Sequence, residues 1–261
     1  MGSQECRFDD RVVVVTGAGS GLGRATARRF SNEGATVVLA DLDAQSAADA
    51  TVELPSDRSM AVSLDVASYH DVERVVTLAV ANFGRLDVMV NNADVSTGGS
   101  IFDSDPADWQ RVMAVNAGGV YNGCRAALPH LLRTKGCIVN TASVSGLRAD
   151  WGMSLYDASK AAVANLTRAL ALDHGADGVR VNAVCPTVSP TKATGDFTDD
   201  AVRMARLLER IPLGRIARPS DIAAVITFLA SDDARFVTGV NLPVDGGLTA
   251  SNGQPDLQQR S

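Results

Sequence analysis

The chain has 261 residues, 46% of them hydrophobic, and a formal net charge of −6. That length and apolar share fit one α/β domain over 1–261 with a sizeable buried core. The acidic balance, the lack of a membrane-length apolar run and the polar start MGSQECRFDDR argue against nucleic acid, membrane and secretion, and predict a cytoplasmic protein.

RVVVVTG (11–17) is a β-branched run closing in glycine and predicts the first strand; ATARRFSNEG behind it has helical spacing with Gly34 as a stop. ATVVLAD (35–41) predicts the second strand. A helix near 44–54, the strand MAVSLD (60–65), a helix over 69–83 and the strand LDVMVNNA (86–93) follow. A long helix over 106–133 leads to the strand GCIVNTAS (136–143) and a helix over 156–174. VRVNAVCP (179–186) is the sixth strand. After a less regular stretch, 187–213, come the helix DIAAVITFLAS and a last strand, GVNLPVDGG (239–247). Apolar strands separated by crossover helices predict a seven-stranded parallel sheet with helices on both faces, a doubly wound Rossmann-type fold. Ligands of such sheets lie beyond the carboxyl ends of the strands, so the break at 187–213 reads as a substrate lid.

TGAGSGLG (16–23) places Gly17, Gly21 and Gly23 between the first strand and the first helix. Glycines there allow a tight turn and close backbone approach, while the helix N-terminus offers free amides to a pyrophosphate. Asp41 ends the second strand, where a carboxylate accepts hydrogen bonds from the adenosine ribose hydroxyls and repels a 2′-phosphate; the expected cofactor is NAD rather than NADP. Position 42 is Leu42, which cannot receive a phosphate, although Arg24 stands nearby. Asp65, at the tip of the third strand, is expected to face the adenine. Cys6, Cys124, Cys137 and Cys185 form no CxxC pair and no metal-like spacing with histidine, so reduced thiols and no metal are expected.

SLYDASK (154–160) sets the phenol of Tyr156 and the ammonium of Lys160 one helical turn apart on one face. A neighbouring cation favours phenolate, so Lys160 is expected to draw the Tyr156 pKa from about 10 toward the working pH, where the group both gives and takes a proton. Lysine occurs only at 135, 160 and 192, against an arginine-rich background, which singles out a compact ammonium at this position.

The glycine loop, NNA at 91–93, Asn116, Ser143, the pair Tyr156 and Lys160, and VDGG near the end together resemble the short-chain dehydrogenase/reductase family over almost the whole chain. The resemblance implies that Tyr156 exchanges the proton with the substrate oxygen, Lys160 lowers its pKa and binds the nicotinamide ribose, Ser143 holds the carbonyl or hydroxyl, and Asn116 holds a water leading from Lys160 to solvent. It further implies cofactor contacts from Ser20, Leu22, Leu42, Val66, Asn92, Pro186, Val188 and Thr191, beside the residues already named, and a homotetramer paired through the helices at 106–133 and 156–174. Two positions depart from the family pattern. Asp94 stands where glycine usually follows NNA, and Thr187 replaces the glycine of PGxxxT, with Pro190 stiffening the approach to Thr191. The stretches 127–146, 171–186 and 244–255 are similar to the 2,3-butanediol dehydrogenase and acetoin reductase group, which implies a small vicinal diol or hydroxyketone. Ser143, Trp151, Tyr156 and Thr187 are the expected substrate contacts, framing a pocket with an apolar wall and few donors. A polyol, sugar or cyclic alcohol would use the same acid/base residues, and a catalytically silent NAD-binding module is the remaining alternative.

Overall fold

A computed structural model describes residues 6–189 and 200–254. Seven strands form the sheet: β1 (Val12–Thr16), β2 (Thr36–Asp41), β3 (Ser59–Ser63), β4 (Val88–Asn91), β5 (Cys137–Thr141), β6 (Arg180–Pro186) and β7 (Asn241–Val244). Their order is β3-β2-β1-β4-β5-β6-β7, and every neighbouring pair is parallel. The chain runs outward from β1 to β3, then returns to the other side of β1 with β4. That reversal is the topological switch point, and it leaves a crevice between the carboxyl ends of β1 and β4.

The helices are α1 (Gly21–Asn32), α2 (Ala44–Thr51), α3 (Tyr69–Phe83), α4 (Pro106–Val112), α5 (Gly119–Thr134), α6 (Ser154–His174), α7 (Ala201–Leu208) and α8 (Pro219–Ala230). Two cores result from the two-residue alternation of the strands. Val14, Met89, Ile138 and Val181 face Val75, Val120, Ala127 and Val163 of α3, α5 and α6. Val13, Val15, Val90 and Val139 face Phe30, Ile222, Ile226 and Leu229 of α1 and α8 on the opposite side. A strand buried on both faces has no polar alternation, which is why RVVVVTG reads as a continuous apolar run. Each fully buried valine of that run contributes about 1.5–3 kcal/mol of transfer free energy.

Two stretches differ from their predicted form. The helix expected over 106–133 is interrupted by a π turn, Met113–Gly118, between α4 and α5. The irregular stretch 187–213 contains α7, started by Asp200, whose carboxylate accepts from the N–H groups of Val202 and Arg203 at 3.0 Å each. No α7 residue is fully buried, so this helix lies on the surface beside the cleft. The central part of the expected lid, 190–199, with Pro190 and Thr191, lies outside the described residues.

Candidate active site

At the switch point the ends of β1 and β4 are tied together through Thr16. Its hydroxyl accepts from the N–H groups of Asn92 (2.9 Å) and Ala93 (3.1 Å), and the Asn92 side chain donates back to the Thr16 carbonyl at 3.0 Å. Gly17 turns away from this junction with φ +63°, and a Cβ there would stand 2.9 Å from the Ala93 Cα. At Gly23 a Cβ would lie 2.0 Å from the Gly17 carbonyl oxygen. The loop is therefore closed on itself and on β4 by the absence of side chains. Ser20 begins α1 without a side-chain cap, so the amides of that first turn remain available to an anion. Leu22 of this turn is half-buried and packs against the core on the α1 side of the sheet.

Asp41 reaches the same loop from the end of β2. Its Oδ2 accepts from the Gly19 N–H at 2.8 Å and its Oδ1 from the Asp43 N–H at 3.1 Å. Gly19 belongs to this cradle although only Gly17, Gly21 and Gly23 stand out by spacing; its place inside the quoted loop was the available signal. Leu42 is largely exposed beside Asp41. Arg24 is engaged by Glu53 at 2.7 Å. Asp65 is exposed at the end of the β3 segment, with its Oδ1 accepting from the Ala67 N–H at 2.9 Å, and Val66 is buried where a Cβ on Gly119 would meet it at 2.8 Å. Bare amides that would meet a pyrophosphate, a carboxylate at the second strand's tip and a crevice open between β1 and β4 together fit a nicotinamide dinucleotide.

On the β4–β5 side of the crevice, Ser143 follows β5 and is buried; its Oγ accepts from the Ser145 N–H at 3.1 Å and approaches the Pro186 carbonyl at 3.5 Å. Tyr156 and Lys160 lie on α6, with the Lys160 Nζ 5.4 Å from the Tyr156 ring centroid. Lys160 is only 2% exposed, and its ammonium donates to the Thr141 carbonyl at 2.9 Å. Thr141 acts there through its main chain, which carries no signature in a sequence.

Asp94 completes the cluster. Its Oδ2 lies 2.9 Å from Lys160 Nζ and accepts from the Tyr156 hydroxyl at 3.3 Å. The carboxylate occupies the position of the usual family glycine without strain, since only Asp10 and Lys135 among the described non-glycine residues have positive φ. These contacts correct one electrostatic expectation. Burial pushes the Tyr156 phenol up most strongly; Lys160 and Ser143 pull it down, Asp94 pushes it up, and the value stands at about 12 rather than nearer the working pH. Burial opposes the Lys160 charge, but Asp94 and Tyr156 outweigh it and hold the ammonium above the ordinary lysine value.

Asn116 sits in the π turn, and its amide is fully employed. Its Oδ1 accepts from the Val95 N–H, and its Nδ2 donates to the Val95 carbonyl and the Ser159 hydroxyl, each at 2.9 Å. The Ser159 hydroxyl in turn donates to the Tyr156 carbonyl at 2.7 Å. Asn116 thus ties the segment carrying Asp94 to the helix carrying Tyr156, and π turns of this kind recur at functional sites.

Pro186, which ends β6, and Thr187 and Val188 just past it are half-buried. Trp151 is fully exposed and lines a cavity of about 880 Å³ next to Ser145, with Arg148, Arg203, Arg206 and Arg210 around it. Arginines form a cationic rim on this wall, and Trp151 is the one expected substrate contact among the described residues that line it; Ser143, Tyr156 and Thr187 are not among them. Arg203 pairs with Asp200 at 3.2 Å and Arg210 donates to the Gly253 carbonyl at 3.3 Å, whereas Arg148 and Arg206 have no carboxylate partner among the described residues. The VDGG motif anchors the far end of this wall: Asp245 accepts from the Gly247 and Thr249 N–H groups at 2.9 and 2.8 Å, and the Gly246 carbonyl accepts from the Leu213 N–H.

This geometry defines a dinucleotide crevice flanked by a serine, a tyrosine and a buried lysine. A family model described as enoyl-(acyl carrier protein) reductase matches residues 17–249. The chain is 53% identical to the meso-2,3-butanediol dehydrogenase of Serratia marcescens over 96% of this chain and 99% of that one. It is 43% identical to the 4-formylbenzenesulfonate dehydrogenase of Comamonas testosteroni, covering 92% and 98%. The crystal structure of 3-ketoacyl-(acyl-carrier-protein) reductase from Brucella melitensis complexed with NADH superposes with a TM-score of 0.86 at 33% identity, covering 92% and 99%. The chain belongs to the short-chain dehydrogenase/reductase family. It is an oxidoreductase that acts on CH–OH groups, interconverting secondary alcohol and ketone with a nicotinamide cofactor.

Proposed function

We propose that the protein interconverts a small vicinal diol and its hydroxyketone, of the 2,3-butanediol and acetoin type, using NAD. The observation that carries this reading is the convergence of the Tyr156 hydroxyl, Lys160 ammonium and Ser143 hydroxyl beside the glycine loop, in a chain 53% identical to a butanediol dehydrogenase. The nicotinamide, when bound, accepts or supplies the hydride. Ser143 orients the substrate oxygen by hydrogen bond, and Tyr156 gives that oxygen a proton as the phenol during reduction or takes one as the phenolate, which the Lys160 charge favours, during oxidation. Lys160 holds the nicotinamide ribose and keeps a positive charge next to the phenol. Because the Asn116 side chain is committed to Val95 and Ser159, any water it holds toward Lys160 is held by its main chain.

Three features support NAD over NADP: Asp41 lines the loop as an acceptor, Leu42 carries no charge, and Arg24 is already paired with Glu53. The cofactor contacts extend through Ser20, Asp65, Val66, Asn92, Pro186, Val188 and Thr191. Trp109, Tyr121, Leu132 and Leu172 are exposed on α4, α5 and α6, which supports a homotetramer paired through those helices. Three buried thiols and no disulfide among the described cysteines support a reducing, cytoplasmic setting. No described helix is long and apolar enough to cross a membrane.

A second reading is favoured by the cationic rim. Arg148 and Arg206 would suit a secondary alcohol carrying a carboxylate or sulfonate, and one relative is named for a sulfonate substrate. One assay separates the two: NADH formation or loss across butanediol stereoisomers, acetoin, diacetyl, cyclic alcohols and hydroxycarboxylates, with NADP alongside. The vicinal diol reading requires the highest kcat/KM on a neutral diol or hydroxyketone with NAD. A hydroxycarboxylate turned over more efficiently than any neutral substrate would replace it with the anionic reading.

A further inference from the structure

Asp94 is an uncommon charge in an uncommon place. It follows β4 after Asn92 and Ala93, so it stands in the crevice at the switch point, where Gly17 and Ala93 are in near contact. One of its oxygens reaches both Lys160 (2.9 Å) and Tyr156 (3.3 Å), and its side chain is 39% exposed toward the open crevice. With glycine at this position Lys160 would present an uncompensated positive charge to whatever lies beside it. With Asp94 the pair presents almost none.

The two redox forms of a nicotinamide dinucleotide differ by one positive charge on the ring and share the same pyrophosphate. A lone Lys160 ammonium therefore disfavours the oxidised form relative to the reduced one, and a neutralised Lys160 does not. We propose that Asp94 is a redox-state selector for the cofactor: by cancelling the Lys160 charge it strengthens binding of NAD⁺ relative to NADH. It acts through Lys160 and the local field, so it is a positioning and charge-balancing residue. The overall equilibrium between alcohol and ketone is untouched; what changes is which cofactor form loads and which leaves. An enzyme tuned this way takes up NAD⁺ readily and releases NADH readily.

This inference rests on the reading that Lys160 and Tyr156 face the nicotinamide, and the test keeps the two apart. Dissociation constants of NAD⁺ and NADH are measured without substrate, by calorimetry and by NADH fluorescence, for the wild type, Asp94→Asn, Asp94→Gly and Asp94→Glu. Asn keeps the shape without the charge, and Gly restores the family pattern, so a folding defect in one variant leaves the other informative. The ratio of the NAD⁺ to the NADH constant is expected to rise about five- to tenfold in the Asn and Gly variants. Asp94→Glu should keep the wild-type ratio, and the difference should shrink as salt is raised. An unchanged ratio in both charge-removing variants, or two constants that move together, overturns the inference while leaving the cofactor reading standing. Failure of the wild type to bind either form overturns both.

Discussion

Asp94 and Lys160 form a 2.9 Å ion pair between the segment after β4 and the N-terminal part of α6, and the same carboxylate oxygen accepts from the Tyr156 hydroxyl. Tyr156 is therefore held between opposite charges. Asp94 resists loss of the phenolic proton and Lys160 promotes it, while burial tips the balance toward the neutral phenol.

Removing the Asp94 charge takes away a push upward. In Asp94→Asn the Tyr156 phenolate is expected to form at lower pH than in the wild type, where the value stands at about 12. Ultraviolet titration of the phenolate band in the cofactor-free protein measures this, with Tyr156→Phe subtracted to remove Tyr69 and Tyr121. An onset that does not move would show that the carboxylate is not felt at the ring.

Loss of the transferable proton should separate chemistry from binding. For Tyr156→Phe the expected result is a fall in kcat of about 10² to 10⁴. The NAD dissociation constant should stay within about twofold, because Lys160 keeps its Thr141 and Asp94 partners. Steady-state kinetics combined with NADH fluorescence quenching reads both. A variant that keeps most of its rate would refute the proton assignment.

Asp41 supports the glycine loop and is proposed to accept from the adenosine ribose, so Asp41→Ala should weaken NAD about tenfold. NADP should be weakened much less, since a repulsive charge is lost along with the acceptor. Parallel titrations with both cofactors test the discrimination; equal losses would place the specificity elsewhere.

Gly23→Ala forces a methyl to within 2.0 Å of the Gly17 carbonyl oxygen, a backbone atom that cannot step aside. A loss of about 1–3 kcal/mol is expected, together with weaker NAD binding. Gly98→Ala is the matched control, because its Cβ would meet only the Met153 sulfur at 3.5 Å and the Gly152 carbonyl at 3.8 Å. Thermal melts of the two variants should diverge clearly.

Alkaline conditions should destabilise the fold through its thiols. Burial pushes Cys124 up to about 12 and Cys137 and Cys185 up to about 11, from 9.0 in an ordinary thiol. These folded-state values are raised, so the stabilisation is complete below about pH 9 and is lost as pH climbs toward 11–12, where only the unfolded chain ionises freely. Each thiol contributes a slope of the order of 1 kcal/mol per pH unit across that window. Urea denaturation at pH 8.5 and 10.5 should show a shallower fall for Cys124→Ala than for the wild type.

Much of this molecule is legible in its sequence because the relevant signals are local. Val12–Val15 announce a doubly buried strand by lacking polar alternation, Gly17 and Gly23 announce a loop by their position between strand and helix, and Tyr156 and Lys160 announce a shared face by their spacing. What escaped is mostly long-range or carried by the main chain. The Thr141 carbonyl has no residue-type signature, and the reach of Asp94 to Lys160 spans α4, α5 and β5. The direction of the Tyr156 shift escapes the sequence for the same reason: spacing reveals the lysine, whereas burial and the distant carboxylate exist only once the chain has folded. Trp151 shows the converse: its residue type says nothing of its full exposure beside Arg148 and Arg206, which only the fold reveals.

The π turn at Met113–Gly118 works as a register spacer. A regular α-helix rotates by about 100° for each residue, so one widened turn re-aims everything before it relative to everything after it. This is what lets α5 pack on α3 while Asn116 still grips Val95 and Ser159. Many side chains could change in this stretch without altering that aim, but excising a single residue would swing one half of the rod against the other and unhook the amide. Evolution can rewrite the letters here more readily than it can change their number.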